Sequence, residues 1–376
     1  MQTSFERVIS QSCVGFKRFA MARSAIGWHE AVPSLFAERH GFDTRNSFTR
    51  LFHYVPSSQE RVRIHDSIHK ETLRHEITNT RISGGNGIGQ NRFADYDLAG
   101  RVFIATGGAQ GLGLSMAEAL AKAGGKGELS QIQHVGVMTA NNAAVYCLDR
   151  APTPDEAWDE ARSRLIREWG GSLHYKQQDV TDTVLLDETV TAIAEENQRL
   201  DGVIAAAGVQ QLTPATEYRE NDVARMLAIN YTGVLMTASS AARQMLRYKC
   251  KGSICLIASM SGLVANKGLV SPVYNSSKAA VIQLARSLAM EWSPTQKDGT
   301  GGIRVNCISP GHILTPMVRK NFEEVPGLKG KWERENMLGR LADPDEFKGA
   351  ALFLMSDASS FMTANNLIID GGHTSW

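Results

Sequence analysis

From Leu98 onward the chain alternates short, almost unbroken apolar runs with longer stretches in which apolar residues return every three or four positions. The runs are RVFIAT, AAVYCL, LHYK, GVIAAA, GSICLIAS, GIRVNCIS and NLIID. Their length and lack of polar alternation predict strands buried on both faces, as in a parallel sheet. Between them, series such as Leu112, Met116, Ala119, Leu120 and Val281, Leu284, Leu288, Ala289 predict helices with one face on that sheet. Strand and helix in this alternation give an α/β class fold, a Rossmann-type doubly wound sheet of seven parallel strands. Residues 1–94 lack the rhythm and read as an irregular N-terminal extension. Its glycine-rich run ISGGNGIGQN, residues 82–91, follows no apolar strand and opens no helix, so it reads as a linker rather than a phosphate loop.

Composition narrows the picture. The chain has 376 residues, 43% hydrophobic and 21% charged, with 34 Gly and 11 Pro, which suits a large buried core and excludes collagen-like, disordered and disulfide-scaffold classes. The net charge of +1 hides an asymmetry: residues 1–94 carry 13 Lys/Arg against 8 Asp/Glu, leaving 27 against 31 for the remainder. The first 25 residues hold Arg7, Lys17, Arg18 and Arg23 with Glu6 as the lone acid, a composition shared by mitochondrial transit peptides and by plain disordered tails. An intracellular protein of cytoplasm or mitochondrion is expected. The core is slightly acidic and the leader's basic residues are dispersed among acids, so nucleic acid is not an expected partner. No window reaches the roughly 18 apolar residues of a membrane span. Five cysteines without a C-x-x-C pair fit a reducing compartment, and Cys147, Cys255 and Cys307 lie in apolar runs as small buried hydrophobes. His65 and His69 share a helix face, but Val62, Ile64, Ile68, Leu73 and Ile77 make that face the polar side of an amphipathic helix, and no metal is expected.

The first predicted strand ends in Thr106-Gly107-Gly108-Ala109-Gln110-Gly111-Leu112-Gly113 and a helical pattern follows at once. Glycines there permit a tight turn and close approach of backbone N–H groups and a helix N-terminus to a pyrophosphate. An acid about 20 residues further on normally binds the adenosine ribose. Here Asp149 closes VYCLD, 36 positions after Gly113, and the excess of about 16 residues matches GELSQIQHVGVMTANN, residues 127–142, which reads as an insertion. The codons available for its Gly-Glu-Leu and Thr-Ala-Asn triplets include intron donor and branch-point sequences, so a retained intron is one origin. A carboxylate at Asp149 favours NAD, while the neighbouring Arg150 suits the 2′-phosphate of NADP. Asp179 is placed either at the adenine amino group or in a turn.

Tyr274 and Lys278 form Y-x-x-x-K on one helix face. A phenol is a poor proton carrier at neutral pH unless positive charge favours phenolate, which a nearby ammonium and an oxidised nicotinamide would do. Ser259 or Ser261 ends the fifth strand, where open α/β sheets bind ligands. The Asn230 amide is expected to hold a water that relays protons from Lys278.

The motifs TGGAQGLG, INYTG, ASMSG, YNSSK and ISPGHILT, in order and at approximate spacing over residues 98–376, closely resemble the classical short-chain dehydrogenase/reductase family. The resemblance implies a catalytic tetrad of Asn230, Ser259, Tyr274 and Lys278, with Ser259 preferred over Ser261 because Gly262 follows it by three. It implies cofactor contacts at Thr106, Gly107, Gln110, Gly111, Leu112, Gly113, Asp149, Asp179, Val180, Ala206, Ala207, Gly208, Tyr274, Lys278, Pro310, Gly311, Ile313 and Thr315. Where the family commonly has N-N-A-G, this chain has Ala205-Ala206-Ala207-Gly208, leaving backbone to make the contacts. LDRAPTPDEAW, NMLGRL and SDASSFMT further resemble the fungal polyol dehydrogenase and ketose reductase branch, which includes D-arabinitol 2-dehydrogenase. That likeness implies a secondary alcohol and ketone as substrates, with Gln210, Asn266, Lys267 and His312 as candidate hydroxyl readers and a homodimer or homotetramer as the assembly. The competing readings are a reductase of another carbonyl, such as a 3-oxoacyl or secondary-metabolite ketone, a cofactor-binding protein without catalysis, and an inactive product.

Overall fold

The computed structural model describes residues 94–124, 142–168, 171–267 and 270–376. The N-terminal extension up to residue 93, the histidine pair at 65 and 69, and almost all of the inserted stretch lie outside the described residues. Seven strands form one sheet: β1 Val102–Thr106, β2 Ala144–Asp149, β3 Ser172–Gln177, β4 Gly202–Ala205, β5 Ser253–Ile257, β6 Arg304–Pro310 and β7 Asn366–Ile369. Their order is β3-β2-β1-β4-β5-β6-β7, and every pairing is parallel. All seven apolar runs read from the sequence are strands. The order reverses between β1 and β4, the point at which doubly wound sheets leave a crevice beyond the strand ends.

The helices are α1 Gly111–Ala123, α2 Glu156–Glu168, α3 Thr183–Asn197, α4 Glu220–Leu227, α5 Val234–Arg247, α6 Pro272–Trp292, α7 Pro316–Glu324, α8 Leu328–Glu335 and α9 Lys348–Met355. Alternate residues of each strand face opposite layers. Val102 and Ile104 of β1 join a core with Leu186 and Val190 of α3, Ala238 of α5 and Val281 of α6. Phe103 and Ala105 face the other way, onto Met116 and Leu120 of α1, Trp158 of α2 and Leu354 of α9. Cys147, Cys255 and Cys307 are buried free thiols within these layers, as their apolar neighbours predicted.

Helix α1 matters most for the site, because its first turn carries the glycine loop. It is buried along most of its length and bears a buried carboxylate, Glu118. That carboxylate is held at 2.8–3.1 Å by Lys348 of α9, Arg164 of α2 and Lys122 of its own helix. Burial alone would push its acid constant up, but hydrogen bonds from Lys348, Arg164 and Lys122 outweigh that and hold the carboxyl below its usual range. A buried charge so surrounded fixes α1 against both neighbours, and loss of the partners would leave it uncompensated.

The chain leaves α1 at Gly124 and returns at Ala143. A Cβ placed on Gly124 would lie 2.2 Å from the Ala143 Cβ and 2.9 Å from its Cα. Exit and return are thus in direct contact, about one peptide unit apart. Among the described residues no helix is long and apolar enough to cross a membrane, and no group of three or more His, Cys, Asp or Glu could hold a metal ion.

Candidate active site

The glycine loop turns on Gly107, whose φ of +68° is in the left-handed region that glycine adopts freely. A Cβ there would lie 2.9 Å from the Ala207 amide nitrogen, and one on Gly113 would lie 2.2 Å from the Gly107 carbonyl oxygen. The two glycines let the loop fold against the start of α1 and against the segment after β4. Side chains are excluded at these two positions, so backbone N–H groups at a helix start are what they present, a cradle that fits a pyrophosphate. The alanines at 206 and 207 belong to the same contact. Ala207 donates its N–H to the Thr106 hydroxyl at 3.3 Å. Thr106 itself is buried behind the loop and is not among the residues that line the cleft.

Asp149, at the end of β2, accepts from the Ala109 and Ala151 N–H groups, both at 3.3 Å. These bonds aim the carboxylate at the rim of the loop. Asp179 accepts from Thr181 N–H and hydroxyl at 2.9 and 2.8 Å through one oxygen, which is the turn geometry; it also lines the cleft beside Val180.

The cleft has a volume of about 780 Å³, within the usual range for small-molecule sites. Gly107, Gln110, Gly111, Leu112, Gly113, Asp149, Asp179, Val180, Ala206, Ala207, Gly208, Pro310, Gly311, Ile313 and Thr315 line it, together with Ser259, Tyr274 and Lys278. One cavity therefore runs from the glycine loop to the Y-x-x-x-K helix.

At the latter end, Pro272 opens α6 and places Tyr274 and Lys278 one turn apart. Lys278 is buried, 4% exposed, and donates from Nζ to the Ile257 carbonyl at 2.8 Å; its Nζ lies 5.7 Å from the Tyr274 ring centre. Burial pushes its ammonium down to about 8, with Cys307 nearby acting in the opposite sense. Burial pushes Tyr274 up, and the Ser259 hydroxyl counteracts it. Desolvation is thus the leading influence on both groups in the protein by itself, and it penalises the charged form of each. Ser259 lines the cleft, whereas Ser261 is turned away. Ser261 gives its N–H to the Ser259 oxygen at 3.1 Å and its own hydroxyl accepts from Asn266.

Asn230 falls in a π-helical turn, Ala228–Gly233, that joins α4 to α5. Its Oδ1 accepts from Val209 N–H, and its Nδ2 donates to the Val209 carbonyl and to the Ser277 hydroxyl, at 2.9, 2.9 and 3.1 Å. Ser277 in turn donates to the Tyr274 carbonyl at 2.7 Å. The expectation of a relay water on the Asn230 amide is therefore corrected: both N–H groups are spent on protein, and the side chain clasps the loop after β4 to the tyrosine helix.

Of the candidate hydroxyl readers, Gln210 lines the cleft. His312 does not; it is 6% exposed, stacked on Trp332 at 3.7 Å between ring centres, and burial pushes it down to about 3, so it stays neutral. Asn266 is buried in the turn after β5, and neither it nor Lys267 borders the cavity. Sequence reasoning missed Ser277 and Asn321. Asn321 is a buried side chain of α7 that donates to Gln210 Oε1 at 2.8 Å. The run PMVRKNFEE carries no signal that would single it out.

The sequence family described as Enoyl-(Acyl carrier protein) reductase matches residues 137–374. A protein of Aspergillus versicolor named short chain dehydrogenases/reductase notP′ is 38% identical over 283 residues, 75% of this chain and 89% of its own length. D-arabinitol 2-dehydrogenase [ribulose-forming] of Candida albicans is 33% identical over 288 residues, 76% of this chain and 97% of that one. Among solved structures, the NADPH-dependent 3-quinuclidinone reductase of Rhodotorula rubra is 28% identical with a TM-score of 0.62, covering 78% of this chain and 98% of its own.

Proposed function

The chain belongs to the short-chain dehydrogenase/reductase family, and from that premise we propose that it interconverts a polyol and its ketose at a secondary carbinol, a pair of the D-arabinitol and D-ribulose kind. As a member of that family it is an NAD(P)-dependent oxidoreductase acting on CH–OH groups. The observation that carries the reading is that Ser259, Tyr274 and Lys278 share one cleft with the glycine loop and Asp149. The likeness to D-arabinitol 2-dehydrogenase over 97% of that protein supports the polyol. We assign this chemistry to a single domain, residues 95–376.

The residues present fit a dinucleotide. The backbone of residues 107–113 and the start of α1 would hold its pyrophosphate, Asp149 its adenosine ribose, Asp179 and Val180 its adenine edge, and Pro310, Gly311, Ile313 and Thr315 its nicotinamide end. Asp149 would repel a 2′-phosphate, which favours NAD, although Arg150 lies exposed beside it. When bound, the nicotinamide exchanges a hydride with the carbinol carbon. In the oxidation direction Ser259 holds the reacting oxygen by hydrogen bond and Tyr274, as phenolate, takes the hydroxyl proton; in reduction the phenol returns it. Lys278 supplies positive charge behind the phenol. Asn230 and Ser277 keep the tyrosine turn and the loop at Val209 in register.

A second reading, reduction of a non-sugar ketone, draws support from the quinuclidinone reductase likeness. A panel of polyols and ketones with NADH and NADPH on the purified full chain separates the two. Tyr274→Phe is expected to lower turnover by about 10²–10⁴-fold while leaving cofactor affinity unchanged. Normal activity in that variant would overturn the assignment.

A further inference from the structure

Two amide side chains meet across the substrate end of the cleft. Gln210 lies on the loop after β4, between two anchored neighbours: Val209 is clasped by Asn230, and the Gln211 carbonyl accepts from the Ser271 hydroxyl at 2.7 Å, three residues before Tyr274. Gln210 is thereby held beside the tyrosine end. Asn321 comes from the opposite wall, on α7, which begins at the Thr315 cap: the Thr315 hydroxyl accepts from Val318 N–H. The Asn321 amide donates to Gln210 Oε1 at 2.8 Å, and both residues line the cavity.

That bond uses one end of each amide. Among the described residues no protein partner meets the Gln210 Nε2 or the Asn321 Oδ1. Asn321 is only 6% exposed, and the surface on which it borders the cleft is on the same α7 wall as its bond to Gln210. The same holds if both amides are turned over, since the pair then offers the same donor and acceptor in exchanged places. A buried polar group left without a partner is costly. The pair is therefore poorly suited to an apolar substrate and well suited to a hydroxyl, which both donates and accepts.

Resting on the polyol reading above, we infer that the Gln210–Asn321 pair is the specificity device of this site, donating to and accepting from the hydroxyl carried next to the reacting carbon. A site built around such a hydroxyl discriminates strongly against an analogue that lacks it. The pair also ties the loop after β4 to the helix that follows β6 across the cleft.

The test uses Gln210→Met and Asn321→Leu, close in volume and without the amides, on the full chain. The readout is the ratio of kcat/KM for D-arabinitol to that for cyclohexanol, which has no neighbouring hydroxyl. The ratio is expected to fall at least tenfold in each variant, and discrimination among D-arabinitol, xylitol and ribitol should flatten. A ratio within twofold of wild type, or equal loss on both alcohols, overturns the inference and leaves a merely structural tie. If Asn321→Leu does not fold, the half-buried loop variant Gln210→Met decides alone. Failure of the wild-type enzyme on every polyol overturns the polyol reading and this inference together. Activity of the wild type with an unchanged ratio in the variants overturns the inference alone.

Discussion

At the glycine-loop end of the cleft the working surface is backbone, and at the tyrosine end it is side chain. Around Gly107 and Gly113 nothing larger than hydrogen fits, since added Cβ atoms would meet main-chain atoms at 2.9 and 2.2 Å. Around Tyr274 a chain of hydrogen bonds runs from the Val209 backbone through Asn230 and Ser277 to the Tyr274 carbonyl. At Gly107 and Gly113 the first end tolerates no added atom, whereas the second end depends on the identity and charge of particular groups. Shape errors should therefore be fatal to cofactor binding, and chemical errors should be fatal to turnover.

Gly113→Ala is the severest way to break the first half of that contrast. The methyl must displace the Gly107 carbonyl, at an overpacking cost of about 1–3 kcal/mol or more. NADH affinity by fluorescence titration should fall by about 100-fold. Unchanged affinity would show that the loop surface is not the fixed cradle described.

Lys278→Met sharpens the second half through pH. The lysine is held at about 8 by burial, whereas an unfolded lysine has its ordinary value near 10.5. Between these values the unfolded chain binds more protons than the folded one, so wild-type stability rises with pH across that window, by about 3 kcal/mol at most. Below about pH 8 the burial cost is present in full. Chemical denaturation at pH 7 and pH 10 should show the wild type gaining relative to Lys278→Met; parallel curves would mean that the lysine is not desolvated in the free protein.

The smallest effect is expected from a change that touches neither end. Deleting residues 125–141 joins Gly124 to Asn142 beside the Gly124–Ala143 contact. Cofactor affinity and kcat should stay within about twofold, because closing so short a gap alters little entropy. A marked loss of NADH binding would place the deleted stretch in the adenosine end.

This division also explains what could be read in advance. The seven strands were legible because burial on both faces forces unbroken apolar runs, and the glycine loop because steric exclusion leaves only glycine at fixed spacings. Tyr274 and Lys278 were legible because one helical turn relates them. The Asn230 clasp was not, since it joins residues 21 positions apart through a π turn that no local pattern marks. Asn321 was invisible for the same reason: its value comes from Gln210, 111 positions away. His312 misled because a polar residue beside a cofactor motif looks like a ligand, and only its stacking on Trp332 shows it as filling.

The π turn has one more consequence, in the arithmetic of insertions and deletions. A turn bonded i to i+5 carries one residue more than the α-helix around it. Loss of a single residue between Glu220 and Gly233 would let α4 and α5 fuse into one regular helix and swing Asn230 by about 100° away from Val209. One codon there would matter more to this protein than seventeen codons between Gly124 and Asn142, so over generations its length should drift between α1 and β2 and stay fixed beside the tyrosine.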